Sequence, residues 1–145
     1  MTRLVVLSVL ALTACGPDTA AWSGTYSGSG TYTAGRPPVV LMGTLEISAT
    51  GQFTFSGKAD GPTFGGVLQA ESVTDTTATF KLPATGTATA SPSDGCTRQV
   101  TVTMASASRD GANVEGTFNG NLRSECSGAG TSNESFLISF GGTKR

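Results

Sequence analysis

The amino-acid sequence predicts an all-β protein: a small antiparallel up-and-down barrel of about eight or nine strands, preceded by a helical signal peptide. From Trp22 onward, apolar and polar residues alternate with a period of two, and no stretch keeps a 3.6-residue period over ten or more positions. Glycines repeatedly fall on the apolar side of the alternation, as a small closed barrel requires. A two-sheet β-sandwich is the alternative, since it produces the same alternation.

The first 14 residues have the three-part layout of a secretory signal peptide. Met1-Thr2-Arg3 is a short positive start, the run Leu4–Leu12 is apolar, and small residues follow. The apolar run is about half as long as the roughly 20 residues that a membrane-spanning helix needs. We therefore expect residues 1–14 to be a leader rather than a permanent membrane span.

The end of the leader, Leu12-Thr13-Ala14-Cys15, resembles the lipobox of bacterial lipoproteins. The resemblance implies that Cys15 receives a diacylglycerol through a thioether, that the chain is cleaved before Cys15, and that the new amine is acylated. Several acyl chains on one residue supply stable attachment to membrane lipid. An ordinary leader, which would leave a free thiol at Cys15, is the alternative.

The lipobox implies a lipid-anchored protein of the cell envelope. The anchor would lie in the outer membrane of a Gram-negative host or on the outer face of the plasma membrane of a Gram-positive one. Residues 15–21 would then be the lipidated cysteine and a short tether, reaching at most about 20 Å. Residues 22–145 have the length of a single domain, which we expect to be monomeric.

The first strand after the tether carries two near copies of Ser-Gly-Thr-Tyr, at 23–26 and 29–32. The copies are six residues apart, an even number, so Tyr26 and Tyr32 are predicted to face the same side of one long strand. The start of this strand, Trp22 to Tyr26, resembles the first strand of the lipocalins, where Gly-x-Trp begins the barrel. Ala20 occupies the position of that glycine. The resemblance implies a calycin-like barrel that binds a small apolar molecule.

Further strands are predicted wherever the alternation continues between turn signals. They cover residues 41–48, 53–57, 67–73, 77–82, 100–104, 114–122 and 136–140. Residues 84–95 fit either an edge strand or a loop, and residues 127–133 are predicted to form a loop.

The clearest element is a hairpin whose turn contains Arg109-Asp110-Gly111. Pairing Ser108 with Ala112 predicts that large side chains meet small ones across the strands. The predicted pairs are Val102 with Phe118, Met104 with Gly116, and Val100 with Gly120.

Cys96 and Cys126 lie across from each other at the far end of this hairpin, one small register step out of line, which a bulge could absorb. An exported protein can keep a disulfide. The bond would close a loop of about 31 residues and stabilise the fold by roughly 3–4 kcal/mol. Two free thiols or a metal site are the alternatives, but the chain has no histidine and no closely spaced cysteine pair, which argues against zinc.

The composition excludes several classes of function. Without histidine the chain cannot form a Ser-His-Asp catalytic triad or a Cys-His dyad, and no P-loop or G-x-G-x-x-G motif occurs. The ten carboxylates leave a glycosidase-like acid pair open, but most lie beside turns or on the outward side of strands. A formal net charge of −1 without a basic cluster argues against nucleic acid. We therefore expect no enzyme activity, cofactor or metal.

Two groups of residues are candidate functional positions. The first comprises inward aromatic residues that would line a ligand cavity or fill a core: Trp22, Tyr26, Tyr32, Phe53, Phe55, Phe80, Phe118 and Phe136. The second is the pair Arg98 and Glu134, charged residues on the apolar side of their strands. Both would lie at one mouth of the barrel, as a polar contact for a ligand or as a structural ion pair.

Two classes of function follow from these residues. The first is a non-catalytic binding module whose cavity holds a small apolar ligand or an envelope lipid. The alternative is a structural or protein-interaction lipoprotein, for example an envelope inhibitor, that has a solid core and binds an envelope protein through its surface. The volume of the barrel interior discriminates between them.

Overall fold

The structure is a computed structural model that describes residues 19–60, 62–89 and 95–145. The leader, the lipobox and Cys15 lie outside the described residues. The described residues form nine β-strands and contain no helix long and apolar enough to cross a membrane. The strands are β1 (Gly24–Thr33), β2 (Val39–Ile47), β3 (Gln52–Ala59), β4 (Thr63–Val73), β5 (Thr77–Phe80), β6 (Ala84–Thr89), β7 (Cys96–Asp110), β8 (Asn113–Cys126) and β9 (Gly130–Lys144).

The strands close into an antiparallel up-and-down barrel, which confirms the predicted fold class. Apart from β5 and β6, each strand pairs with its neighbours along the chain, and β1 pairs with β9 to close the ring. Strands β5 and β6 lie end to end between β4 and β7, and each of them pairs with β4 on one side and with β7 on the other. The nine strands therefore occupy eight positions around the barrel, a size at which side chains just fill the interior.

Glycines make the closing seam possible. In β1, a Cβ atom at Gly28 or Gly30 would overlap the backbone of β9, at Gly141 and Ser139 respectively. The two backbones approach this closely because the register sets Gly28 opposite Gly142. The glycines on the apolar side of the first strand are thus required for closure.

A bulge in β7 changes the predicted hairpin register. The turn is tighter than expected: Asp110 pairs with Asn113, and the register shifts between Val102 and Met104. Beyond the bulge, Cys96 pairs directly with Cys126.

The predicted hairpin pairs are therefore wrong. Val102 faces Gly120, Val100 faces Leu122, and Ala105 rather than Val102 faces Phe118. Met104 was expected on the apolar side opposite Gly116, but it pairs with Asn119 and is 64% exposed. The physical reason is that one extra residue in a bulge reverses the inward and outward sides beyond it.

Several segment boundaries also differ from the expectation. Residues 84–89 form strand β6, which resolves the choice between strand and loop for that part of the segment. Residues 127–129 alone separate β8 from β9, because the two strands stay paired as far as Cys126 and Gly130. β5 ends at Phe80, and Leu82 is 36% exposed instead of sharing an inward face with it.

One end of the barrel, which we call the plugged end, is filled by Trp22. This end carries the turns at 48–51, 74–76 and 111–112. The Trp22 side chain is 1% exposed, and its indole N–H donates to the Thr74 carbonyl oxygen at 2.8 Å. The Tyr26 hydroxyl donates in turn to the Trp22 carbonyl oxygen at 2.7 Å. The opposite end, which we call the loop end, carries the loops at 34–38 and 127–129 and the disulfide.

The seam predicts a contrast between two glycine-to-alanine variants. Gly30→Ala should destabilise the barrel by at least about 2 kcal/mol, since the added methyl group has only backbone to displace. Gly66→Ala should lie within about 1 kcal/mol of the wild type, because its Cβ would meet the Gly86 Cα at an ordinary 3.6 Å. Urea denaturation of both variants measures the difference, and equal stabilities would contradict the role of the seam.

Candidate functional site

The predicted aromatic residues lie in the core of the barrel. Seven of the eight are buried and Tyr32 is partly buried against the same core. Phe53 connects Trp22 to Phe80 at the plugged end, with ring centroids 5.9 Å and 4.8 Å apart. In the middle, Phe55 contacts Phe118 and Phe140, both at 5.4 Å. These rings pack against one another and so fill the barrel.

A small apolar gap of about 40 Å³ lies beside β4 and β6. Phe55, Phe64 and Phe136 line it, together with the facing glycines Gly66 and Gly86. Drug-sized ligands occupy pockets of about 300–1,000 Å³, several times larger. The gap could accept a water-sized or methyl-sized group, whereas a whole lipid would require the aromatic side chains to move.

The disulfide between Cys96 and Cys126 is present, and it joins β7 to β8 at the loop end. The two cysteines occupy directly paired positions, so the bond staples the end of the long hairpin. Arg98 follows two residues after Cys96 on the same side of β7, partly buried. The bond therefore holds the strand segment that carries Arg98.

Arg98 and Glu134 lie at the same end of the barrel, where their charges shift the pKa of Tyr32. Burial raises the pKa of the Tyr32 phenol, and the Glu134 carboxylate raises it further; Arg36 and Arg98 lower it. Tyr32 also packs on Phe64, with ring centroids 4.5 Å apart. Glu134 is exposed, and its carboxylate lies against Gly35 in the β1–β2 loop. The loop end therefore combines a phenol, a carboxylate and two guanidinium groups.

A polar cleft of about 650 Å³ is lined by β6, β7 and β8 near the loop end. Its lining residues are Thr85, Gly86, Thr87, Thr97, Arg98, Gln99, Arg123 and Glu125. Arg123 pairs with Glu125 at 2.7 Å. No aromatic side chain is among the described lining residues, so the cleft presents polar and charged groups.

Sequence reasoning missed several residues of this end. Phe64 lines the gap and contacts Tyr32, but it stands in Thr-Phe-Gly-Gly just after Pro62, where no alternation marks it. Arg36 was missed because loop residues carry no inward or outward pattern. The cleft joins three strands that only the barrel register brings together. Among the described residues, no group of three potential ligands could hold a metal ion.

Comparisons with known proteins give weak similarities of fold alone. No protein-family model matches the sequence, and no curated protein matches it. Among solved structures, EF1p2_mFAP2b bound to DFHBI is 15% identical with a TM-score of 0.41, covering 88% of this chain and 97% of that chain. Rv2717c from M. tuberculosis is 15% identical with a TM-score of 0.40, covering 90% of this chain and 99% of that chain. Similarities at this level carry no information about function.

Removing the negative charge of Glu134 and removing the positive charge of Arg98 should shift the pKa of Tyr32 in opposite directions. Glu134→Gln should lower the pKa of Tyr32 toward 10.0, because it removes a negative charge that disfavours the phenolate. Arg98→Gln should raise it. Spectrophotometric titration resolves both, because the chain has two tyrosines and Tyr32→Phe assigns them.

Tyr26 is the internal control for this titration. Its pKa is raised by burial and lowered by Arg109, so neither substitution should change it. An unchanged Tyr32 pKa in both variants would show that the four groups do not form a cluster.

Proposed function

We propose that this chain is a non-catalytic, lipid-anchored protein of the bacterial cell envelope that acts by binding another envelope protein through its surface. The lipobox supports the anchor and the envelope location. The absence of histidine and of nucleotide-binding motifs from the sequence supports a non-catalytic role. The single observation that carries the mode of action is the packed interior, whose gap measures about 40 Å³.

A packed barrel leaves the surface as the place where binding occurs. The polar cleft at the loop end offers hydroxyl, amide, guanidinium and carboxylate groups on a rigid sheet. Groups of this kind hydrogen-bond to peptide backbone and to charged side chains. The disulfide and the long β7–β8 hairpin hold them in place. The cleft therefore suits a polar protein segment as its partner.

Binding of a small apolar ligand inside the barrel is the second candidate. One observation favours it: Gly66 and Gly86 face each other and leave the apolar gap without side chains of their own. Any ligand larger than a few atoms would have to displace Phe55, Phe64 or Phe136. The cost of disturbing this packing makes the surface-acting function the better supported of the two.

Native mass spectrometry of the full chain purified from membranes tests the packed interior. The expected mass is that of the acylated polypeptide without a further bound molecule. Gly66→Ala, which narrows the gap without a clash, is the matched variant and should give the same result. A stoichiometric apolar molecule that is lost in Gly66→Ala would overturn the proposal in favour of the second candidate.

Site-specific photo-crosslinking in intact cells tests the cleft. A crosslinking residue at Gln99, inside the cleft, should give one discrete protein adduct. The same residue at Thr54, exposed on β3 outside the cleft, should give none. Arg123→Gln should reduce the Gln99 adduct several-fold. Equal adducts from both positions, or an adduct insensitive to Arg123, would contradict the role of the cleft.

A further inference from the structure

The chain is fixed to the plugged end of the barrel before the first strand begins. Thr19 is completely buried, and its hydroxyl donates to the Ser48 carbonyl oxygen at 2.7 Å. The backbone N–H groups of Trp22 and Ser23 both donate to the Thr19 carbonyl oxygen at 2.9 Å. Residues 19–22 are therefore part of the plug, although the sequence suggested a tether as far as residue 21.

This attachment shortens the connection to the lipid anchor. Three residues, 16–18, separate Cys15 from Thr19. Even fully extended, the chain from Cys15 to Thr19 spans at most about 14 Å. In contrast, the ten residues of β1 span about 25 Å along the barrel axis, from the plugged end to the loop end, at the usual strand rise and tilt.

We infer that the plugged end is a membrane-facing surface that rests on the lipid headgroups, and that the loop end projects away from the membrane. This inference rests on the proposed lipid anchor at Cys15. The occupant of the plugged end is a bilayer surface because the chain leaves the barrel there, with three residues between Thr19 and the acylated position.

The surface chemistry of the plugged end fits headgroups rather than hydrocarbon. None of the large exposed hydrophobic residues among the described ones lies in the turns at 48–51, 74–76 or 111–112. The plugged end instead presents serine and threonine hydroxyls together with both signs of charge. The charged residues there are Asp75, Arg109, Asp110, Lys144 and Arg145. Such a surface can hydrogen-bond to zwitterionic headgroups without inserting into the bilayer.

The orientation decides which partners the cleft can meet. The cleft near the loop end would lie about a barrel length from the headgroups. It would therefore meet a partner that extends this far from the bilayer rather than one confined to the bilayer surface.

Energy transfer from tryptophan to headgroup-labelled lipid tests the orientation on the full, acylated chain in phosphatidylcholine vesicles. Trp22 is the single tryptophan and lies in the plug, so it is a native donor at the plugged end. Transfer from Trp22 should be strong. Inserting 20 Gly/Ser residues between Asp18 and Thr19 should lower it several-fold, and unchanged transfer would overturn the inference.

A matched pair of donors compares the two ends directly. In a Trp22→Phe background, Ala112→Trp places the donor in the exposed β7–β8 turn of the plugged end, and Ala129→Trp places it in the exposed β8–β9 loop of the loop end. Transfer should be several-fold higher from position 112 than from position 129. Equal transfer, or the reverse order, would overturn the inference.

The state of Cys15 separates the two possible failures. The acylated chain should float with vesicles and carry the added mass of its acyl groups, whereas Cys15→Ser should do neither. If the wild-type chain is not acylated, the proposed anchor fails and the orientation fails with it. If the chain is acylated but both ends transfer equally, the orientation alone is wrong.

Discussion

Closure of the barrel through the β1–β9 seam is the constraint on which the rest of the structure depends. The seam forms only because Gly28 and Gly30 leave room for the backbone of β9. Once the ring is closed at eight positions, the interior diameter is set, and inward side chains of ordinary size fill it. The closed ring also pairs the strand edges that an open sheet would expose to other chains.

The fixed diameter has a direct consequence for function. Aromatic side chains pack in the interior in pairs 4.5–5.9 Å apart, and the apolar gap beside β4 and β6 measures about 40 Å³. An interior packed in this way stabilises the fold but has little room for a guest. In the proposed function, recognition therefore uses the protein surface, where β6, β7 and β8 line the polar cleft.

The bulge in β7 connects packing to the cleft. In the half of β7 before the bulge, Cys96 lies directly opposite Cys126, and Arg98 keeps its inward position between the disulfide and the core. In the half of β7 after the bulge, Ala105 and Ala107 take the inward positions and Met104 points outward. One inserted residue thus allows both halves of this 15-residue strand to bury apolar side chains, Val100 before the bulge and Ala107 after it.

The sequence by itself determined the class of the fold, the disulfide partners and the residues that face inward over most strands. These properties follow from period-two alternation, glycine placement and cysteine count, which are local or arithmetic features of the chain. Both copies of Ser-Gly-Thr-Tyr, for example, place their tyrosines on the inward side as the even spacing requires.

Only the tertiary structure decided the position of the bulge, the filled interior and the docking of residues 19–22 into the plug. Each depends on neighbours far away in the sequence: Thr19 binds Ser48, Trp22 binds Thr74, and Phe64 meets Tyr32. Alternation states which side of a strand a residue faces, but the register, and with it the volume enclosed, is set by the strand across the barrel.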